Sequence, residues 1–210
     1  MSVPFPAMKR PLVAILRGVK PEETEAIVGV LIEAGMTAIE IPLNSPDPFR
    51  SIGLAVKLAP PGVLIGAGTV LSAADVDRLN EVGGKLMVSP NVDTDVLSRA
   101  HRHGMVTLPG VFSPTEALLA ARSGASGLKF FPASVLGASG IAAIRAVLPA
   151  GAMIAAVGGV SDQNFAEYIK GGVTAFGLGS SLYKPGMSAT DVAARAKVTI
   201  EAYDLAVQRG

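Results

Sequence analysis

The chain has 210 residues, half of them apolar and 17% charged, with a net charge of +1, two histidines and no cysteine. That balance supports a large buried core and argues against disorder, and without a Lys/Arg cluster it argues against a nucleic-acid partner. The lack of cysteine excludes disulfides, thiolate catalysis and Cys-based metal sites, and leaves the redox compartment open.

Met1 to Arg10 carries Pro4 and Pro6 but no apolar h-region, so it reads as a short N-terminal extension and not as a signal peptide. No stretch of about 18 apolar residues is free of charges and breakers, so no membrane span is expected and the setting reads as cytoplasmic. Pro11–Leu16 is then a continuous apolar run ending at Arg17-Gly18, and Pro21-Glu22-Glu23 opens a helix with proline and acids in its first turn, stopped by Gly35. Ala38–Ile41 precedes a helical stretch from about Asp47 to Ala59, and Val63–Gly66 leads through Gly68-Thr69 to Ser72, which forms a capping box with Asp75. Leu86–Val88 precedes an Asp93–His103 helix closed by Gly104. Val106–Leu108 precedes Ser113-Pro114-Thr115-Glu116, a second capping box with proline in the first helical position. Gly127–Phe131 precedes a helix over Ser139–Leu148, and Ile154–Val157 precedes one opened by Ser161-Asp162. Ala175–Leu178 precedes the last, from about Ala189 onward.

Eight short buried strands, each followed by a helix, predict parallel pairing covered on both faces. The expected fold is α/β: a single (β/α)8 TIM barrel over residues 1–210, near the lower size limit for that architecture, with a doubly wound open sheet as the alternative. In such a barrel the reacting groups gather at the carboxyl ends of the strands. Arg17, Glu40, Thr69, Pro90, Lys129, Gly158-Gly159 and Gly179-Ser180 all fall at or just beyond a predicted strand end.

Two of these residues are anomalous. Lys129 sits in Gly-Leu-Lys-Phe-Phe-Pro-Ala with no other charge in the run. A buried ammonium must be paired or give up its proton, and a neutral amine attacks carbonyl carbon. The plainer alternative is a lysine that snorkels or forms an ion pair. Glu40 interrupts Ala-Ile-Glu-Ile-Pro-Leu, and a desolvated carboxylate has a raised pKa suited to moving protons near neutrality. Arg17 can grip a carboxylate in a bidentate fork, and Thr69 adds a hydroxyl, which together suit a 2-keto acid. The glycine turns at Gly158-Gly159 and Gly179-Ser180 follow the seventh and eighth strands, the usual place for a phosphate in these barrels, although tight turns needing positive φ would also use glycine.

Other candidates favour structural roles. His103 reads as a cation complementing a helix C-terminus, Gly66-Ala67-Gly68 lacks the rest of a dinucleotide fingerprint, and the methionines read as core filler. No metal site and no cofactor are expected.

Ile15–Gly18, Ala38–Ile41, Gly66–Val70, Val88–Asn91, Leu128–Ala133, Val157–Val160 and Gly179–Tyr183, in this order, resemble the class I 2-keto-3-deoxy-6-phosphogluconate and -galactonate aldolases along nearly the whole chain. The resemblance implies a metal-free Schiff-base lyase that takes a phosphorylated keto-deoxy sugar acid and releases pyruvate and glyceraldehyde 3-phosphate. It implies Lys129 as the Schiff-base residue, Glu40 as general acid/base, and Arg17 and Thr69 at the carboxylate end. Gly159 and Ser180 would hold the phosphate, with Pro90, Phe131, Val157, Gly158 and Gly179 completing the substrate site. It also implies a cytoplasmic homotrimer. Ile41-Pro42-Leu43-Asn44-Ser45 and Val157 resemble the galactonate type, whereas Lys129–Ala133 is closer to the gluconate type. Two rivals stay open: an isomerase or epimerase with Glu40 as base, and a non-catalytic barrel that binds a phosphometabolite.

Overall fold

A computed structural model describes residues 3–209. Its strands are β1 (Leu12–Ile15), β2 (Ala38–Pro42), β3 (Leu64–Gly68), β4 (Leu86–Val88), β5 (Val106–Leu108), β6 (Gly110–Val111), β7 (Leu128–Phe130), β8 (Ile154–Val157) and β9 (Ala175–Leu178). All pair in parallel within one sheet, in the order β5-β4-β3-β2-β1-β9-β8-β7-β6. Only Pro109 separates β5 from β6, so the two ends of that order belong to one stave and the sheet forms a barrel of eight staves. The sequence reading missed this division of the fifth strand. Proline has no N–H to give the ladder, so β5 pairs with β4 while β6 pairs with β7.

The helices are α1 (Pro21–Glu33), α2 (Pro48–Leu58), α3 (Ala73–Glu81), α4 (Thr94–Arg102), α5 (Pro114–Arg122), α6 (Ala133–Arg145), α7 (Phe165–Lys170) and α8 (Ala189–Arg209). Of the two expected capping boxes, the one at Ser113 forms in full, the Ser113 N–H donating to Glu116 Oε2 at 2.8 Å and the Glu116 N–H to Ser113 Oγ at 3.4 Å. At Ser72 only half of it forms: the Asp75 N–H donates to Ser72 Oγ at 3.1 Å, while the Asp75 carboxylate accepts from the Ser72 hydroxyl and not from its backbone N–H. Two helix starts differ from expectation. α6 begins at Ala133, with a kink at Gly137 (φ 67°, ψ 167°) just before the predicted start. α7 begins at Phe165, because Ser161 and Asp162 are spent in a turn. His103 caps α4 and also reaches α3, its Nε2 lying 2.7 Å from Asp77 Oδ1.

The barrel has two apolar layers. Leu12, Ala14, Ile39, Ile41, Leu128, Phe130, Ile154 and Ala156 join the helices in the larger cluster. Val13, Ala38, Leu86, Val106 and Leu108 form a second cluster, sealed by Val3, Phe5 and Met8 of the N-terminal segment. Neighbouring strand residues face opposite sides. Glu40, flanked by Ile39 and Ile41, and Lys129, flanked by Leu128 and Phe130, therefore project into the barrel. No helix among the described residues is long and apolar enough to cross a membrane.

Candidate functional site

Two cavities of similar size lie at opposite ends of the barrel. One, about 560 Å³, is bounded by residues ahead of strands, including Pro11, Gly127, Met153 and Thr174, and no charged side chain lines it. The other, about 570 Å³, lies at the carboxyl ends and is lined by Arg17, Phe131, Val157, Gly158, Gly159, Gly179 and Ser180, together with Ser161, Ser181, Tyr183 and Lys184. Chemistry distinguishes them, and the second is the candidate site.

Lys129 and Glu40 are buried within β7 and β2 and are not among the residues that line this second cavity. Lys129 is 7% exposed and Glu40 2%. The Lys129 Nζ stands 4.9 Å from the centroid of Phe131, whose ring lines the cavity. Burial holds the Lys129 amine below its ordinary value, opposed by the Glu40 charge and assisted by Arg17. Burial raises Glu40 to about 7, opposed by the charges of Lys129 and Arg17. Among the described residues, Glu40 Oε2 is buried without a hydrogen-bond partner. An orphaned carboxylate oxygen is costly in a folded core and marks a place where a substrate or water proton can be received.

Two glycines shape this region. A Cβ added at Gly68 would lie 2.0 Å from Glu40 Oε2, so the carboxylate occupies space that only glycine leaves open. At Gly177 an added Cβ would lie 2.6 Å from Val157 Cγ2, and Val157 fills that gap on the cavity wall.

Arg17 is exposed at the rim, and its Nη1 donates to Asn44 Oδ1 at 2.5 Å. The Gly18 N–H donates to Ser45 Oγ at 2.9 Å, so the loop after β2 holds the loop after β1. Thr69 and Pro90 follow β3 and β4 and are not among the side chains lining the cavity. Thr69 nonetheless has φ +56°, a left-handed conformation that is strained for a β-branched residue and tends to occur at functional sites. The Pro90 carbonyl packs so closely on Gly110 that an added Cβ would approach it to 2.2 Å.

Gly158 (φ +89°) and Gly159 (φ +79°) make a turn that L side chains rarely adopt. Among the described residues, the backbone N–H groups of Gly159, Val160, Ser180 and Ser181 find no acceptor, and all four residues line the cavity. Unengaged N–H groups on two adjacent loops could serve as a cradle for an anion. Lys184 adds a cation to the same wall.

Sequence reasoning missed Lys184, Tyr183 and the grip of Asn44 on Arg17. Tyr183 is buried, and burial followed by the nearby Glu23 charge pushes its phenol up to about 12, so it stays neutral. Among the described residues, no three His, Cys, Asp or Glu side chains converge as a metal site would need.

Residues 7–199 match the family model for KDPG and KHG aldolases. The chain belongs to that family. This aldolase is 70% identical over 202 residues to a probable 2-dehydro-3-deoxy-6-phosphogalactonate aldolase of Rhizobium meliloti (strain 1021), covering 96% of this chain and 95% of the relative. It is 46% identical over 200 residues to the 2-dehydro-3-deoxy-6-phosphogalactonate aldolase of Escherichia coli (strain K12), covering 95% and 98%. A solved structure described as native KDPGal superposes on it with a TM-score of 0.94 at 46% identity, over 96% of this chain and 98% of that one. The aldolase is thus a carbon–carbon lyase on a (β/α)8 barrel.

Proposed function

We propose that this aldolase cleaves 2-dehydro-3-deoxy-6-phosphogalactonate to pyruvate and glyceraldehyde 3-phosphate through a Schiff base on Lys129. The observation that carries this reading is the buried pair: an amine driven toward neutrality, with a carboxyl raised to about 7 inside the same barrel. Neutral Lys129 attacks C2 of the keto acid, and Glu40 assists loss of water to give the iminium. Glu40, through a water, takes the proton from the C4 hydroxyl. The C3–C4 bond breaks with its electrons entering the iminium as an enamine. Glyceraldehyde 3-phosphate leaves, the enamine is protonated at C3, and hydrolysis of the iminium frees pyruvate and restores the amine.

Arg17, held by Asn44, and Thr69 take the keto-acid carboxylate, with Pro90 packing on that side. Gly158, Gly159, Gly179 and Ser180 take the phosphate through backbone N–H groups, with Lys184 beside them. Phe131 and Val157 provide the apolar wall between the two ends. An isomerase has less support, because it needs a base but gains nothing from a depressed lysine.

The preference for the galactonate epimer is supported by the names of the two relatives and by Val157 and Asn44. Val157 presents no hydroxyl to the substrate, and a change in one buried hydroxyl contact alters selectivity by ~1–3 kcal/mol. A coupled assay of pyruvate release from both epimers tests this, with faster cleavage of the galactonate form expected. Far faster cleavage of the gluconate form would overturn the assignment of Val157 and Asn44. The reading includes a cytoplasmic homotrimer. Its support is the family resemblance and three exposed apolar side chains near the carboxyl ends of strands: Leu71 (54%), Phe112 (41%) and Val135 (69%).

A further inference from the structure

The cradle between β8 and α7 is useful to a phosphate only while its carbonyl oxygens face elsewhere. A turn with two successive positive-φ glycines is conformationally free unless something ties it. Two side chains tie it here. The Asn164 Nδ2 donates to the Gly159 carbonyl at 2.9 Å, and its Oδ1 accepts from the Ser161 N–H at 3.0 Å. One planar amide thus holds both ends of the Gly159–Ser161 segment, using its donor and its acceptor together. From the loop after β9, the Ser181 Oγ donates to the Val160 carbonyl at 3.0 Å, and the Ser181 carbonyl accepts from Arg195 Nη1 at 3.1 Å. The carbonyls of Gly159 and Val160 are both engaged, while the N–H groups of the same two residues find no acceptor among the described residues.

We propose that Asn164 and Ser181 are positioning residues that latch the two phosphate loops together and keep the Gly159 and Val160 carbonyls off the bound phosphate. Released, the Gly159 carbonyl could rotate toward the anion and, sharing a peptide plane with the Val160 N–H, replace that donor with a repelling dipole; a freed Val160 carbonyl would add a second repelling dipole. The inference rests on the phosphate assignment made above, but the latch concerns only the phosphate end. Attack of Lys129 on pyruvate, which carries no phosphate, does not need it.

The test compares full-length wild type with Asn164→Ala and Ser181→Ala. KM for the 6-phosphorylated keto-deoxy acid should rise about tenfold in Asn164→Ala and less in Ser181→Ala, as loss of one or two hydrogen bonds predicts, with kcat within about twofold. The kcat/KM for the unphosphorylated acid and the rate of borohydride trapping with pyruvate should match wild type in Asn164→Ala, whose side chain lies outside the cavity lining. An unchanged KM in both variants would overturn the latch, as would pyruvate trapping that falls in step with turnover. Should Asn164→Ala fail to fold, Ser181→Ala decides alone. A wild type that shows no preference for the phosphorylated acid would instead sink the phosphate assignment itself, whatever the variants do.

Discussion

Glu40 carries a stability cost that its proposed role as general acid/base explains. Its pKa in the folded protein, about 7, lies above the unperturbed 4.5, because burial disfavours the charged form. A raised carboxyl favours folding in its neutral form, so that contribution is present below pH about 4.5 and is lost as pH rises through 7. Glu40→Gln cannot ionise. It should therefore melt higher than wild type above pH 7, by the equivalent of ~3 kcal/mol, with the two curves converging near pH 4.5. Thermal melts across pH check this, and equal differences at pH 5 and pH 8 would contradict it. The same substitution should lower kcat by about 10²–10⁴-fold. It also removes the charge that holds Lys129 up, so pyruvate trapping should persist to lower pH than in wild type.

At the scale of elements, small residues make the site possible. Gly68→Ala would push the Glu40 carboxylate from its place, since the new Cβ would fall 2.0 Å from Oε2. We expect Gly68→Ala to lose at least tenfold in kcat while the phosphate end still binds, as judged by glyceraldehyde 3-phosphate inhibition. Much of this level was legible in the sequence. Ser72 and Ser113 declared their helices, because a capping hydroxyl three residues before its partner is a local signal. Glu40 and Lys129 were legible because a charge within an apolar run has few explanations. The split at Pro109 was missed because Val106-Thr107-Leu108 before a proline resembles a finished strand. The early start of α6 was missed because Gly137 looks like a stop from sequence and is a kink in the fold. The Asn44–Arg17 contact joins residues 27 apart and needs the register of two loops. Lys184 could not be told from any other exposed lysine until the cavity formed around it.

For the whole molecule, the barrel separates stability from chemistry. The amino ends of the strands are sealed by Val3, Phe5 and Met8, while Glu40 and Lys129 lie within their strands and the unengaged N–H groups lie beyond the carboxyl ends. The trimer reading predicts that light scattering gives three times the 21.3 kDa chain mass. A double substitution Leu71→Asp and Phe112→Asp should give a smaller species, and an unchanged mass would place the interface elsewhere. The barrel alone would serve many reactions, so the central claim rests on the amine at its base. Incubation with pyruvate and borohydride, followed by peptide mass mapping, tests that claim most directly. The account predicts a reduced pyruvyl adduct on Lys129. No adduct, or one placed on any other lysine, would contradict it.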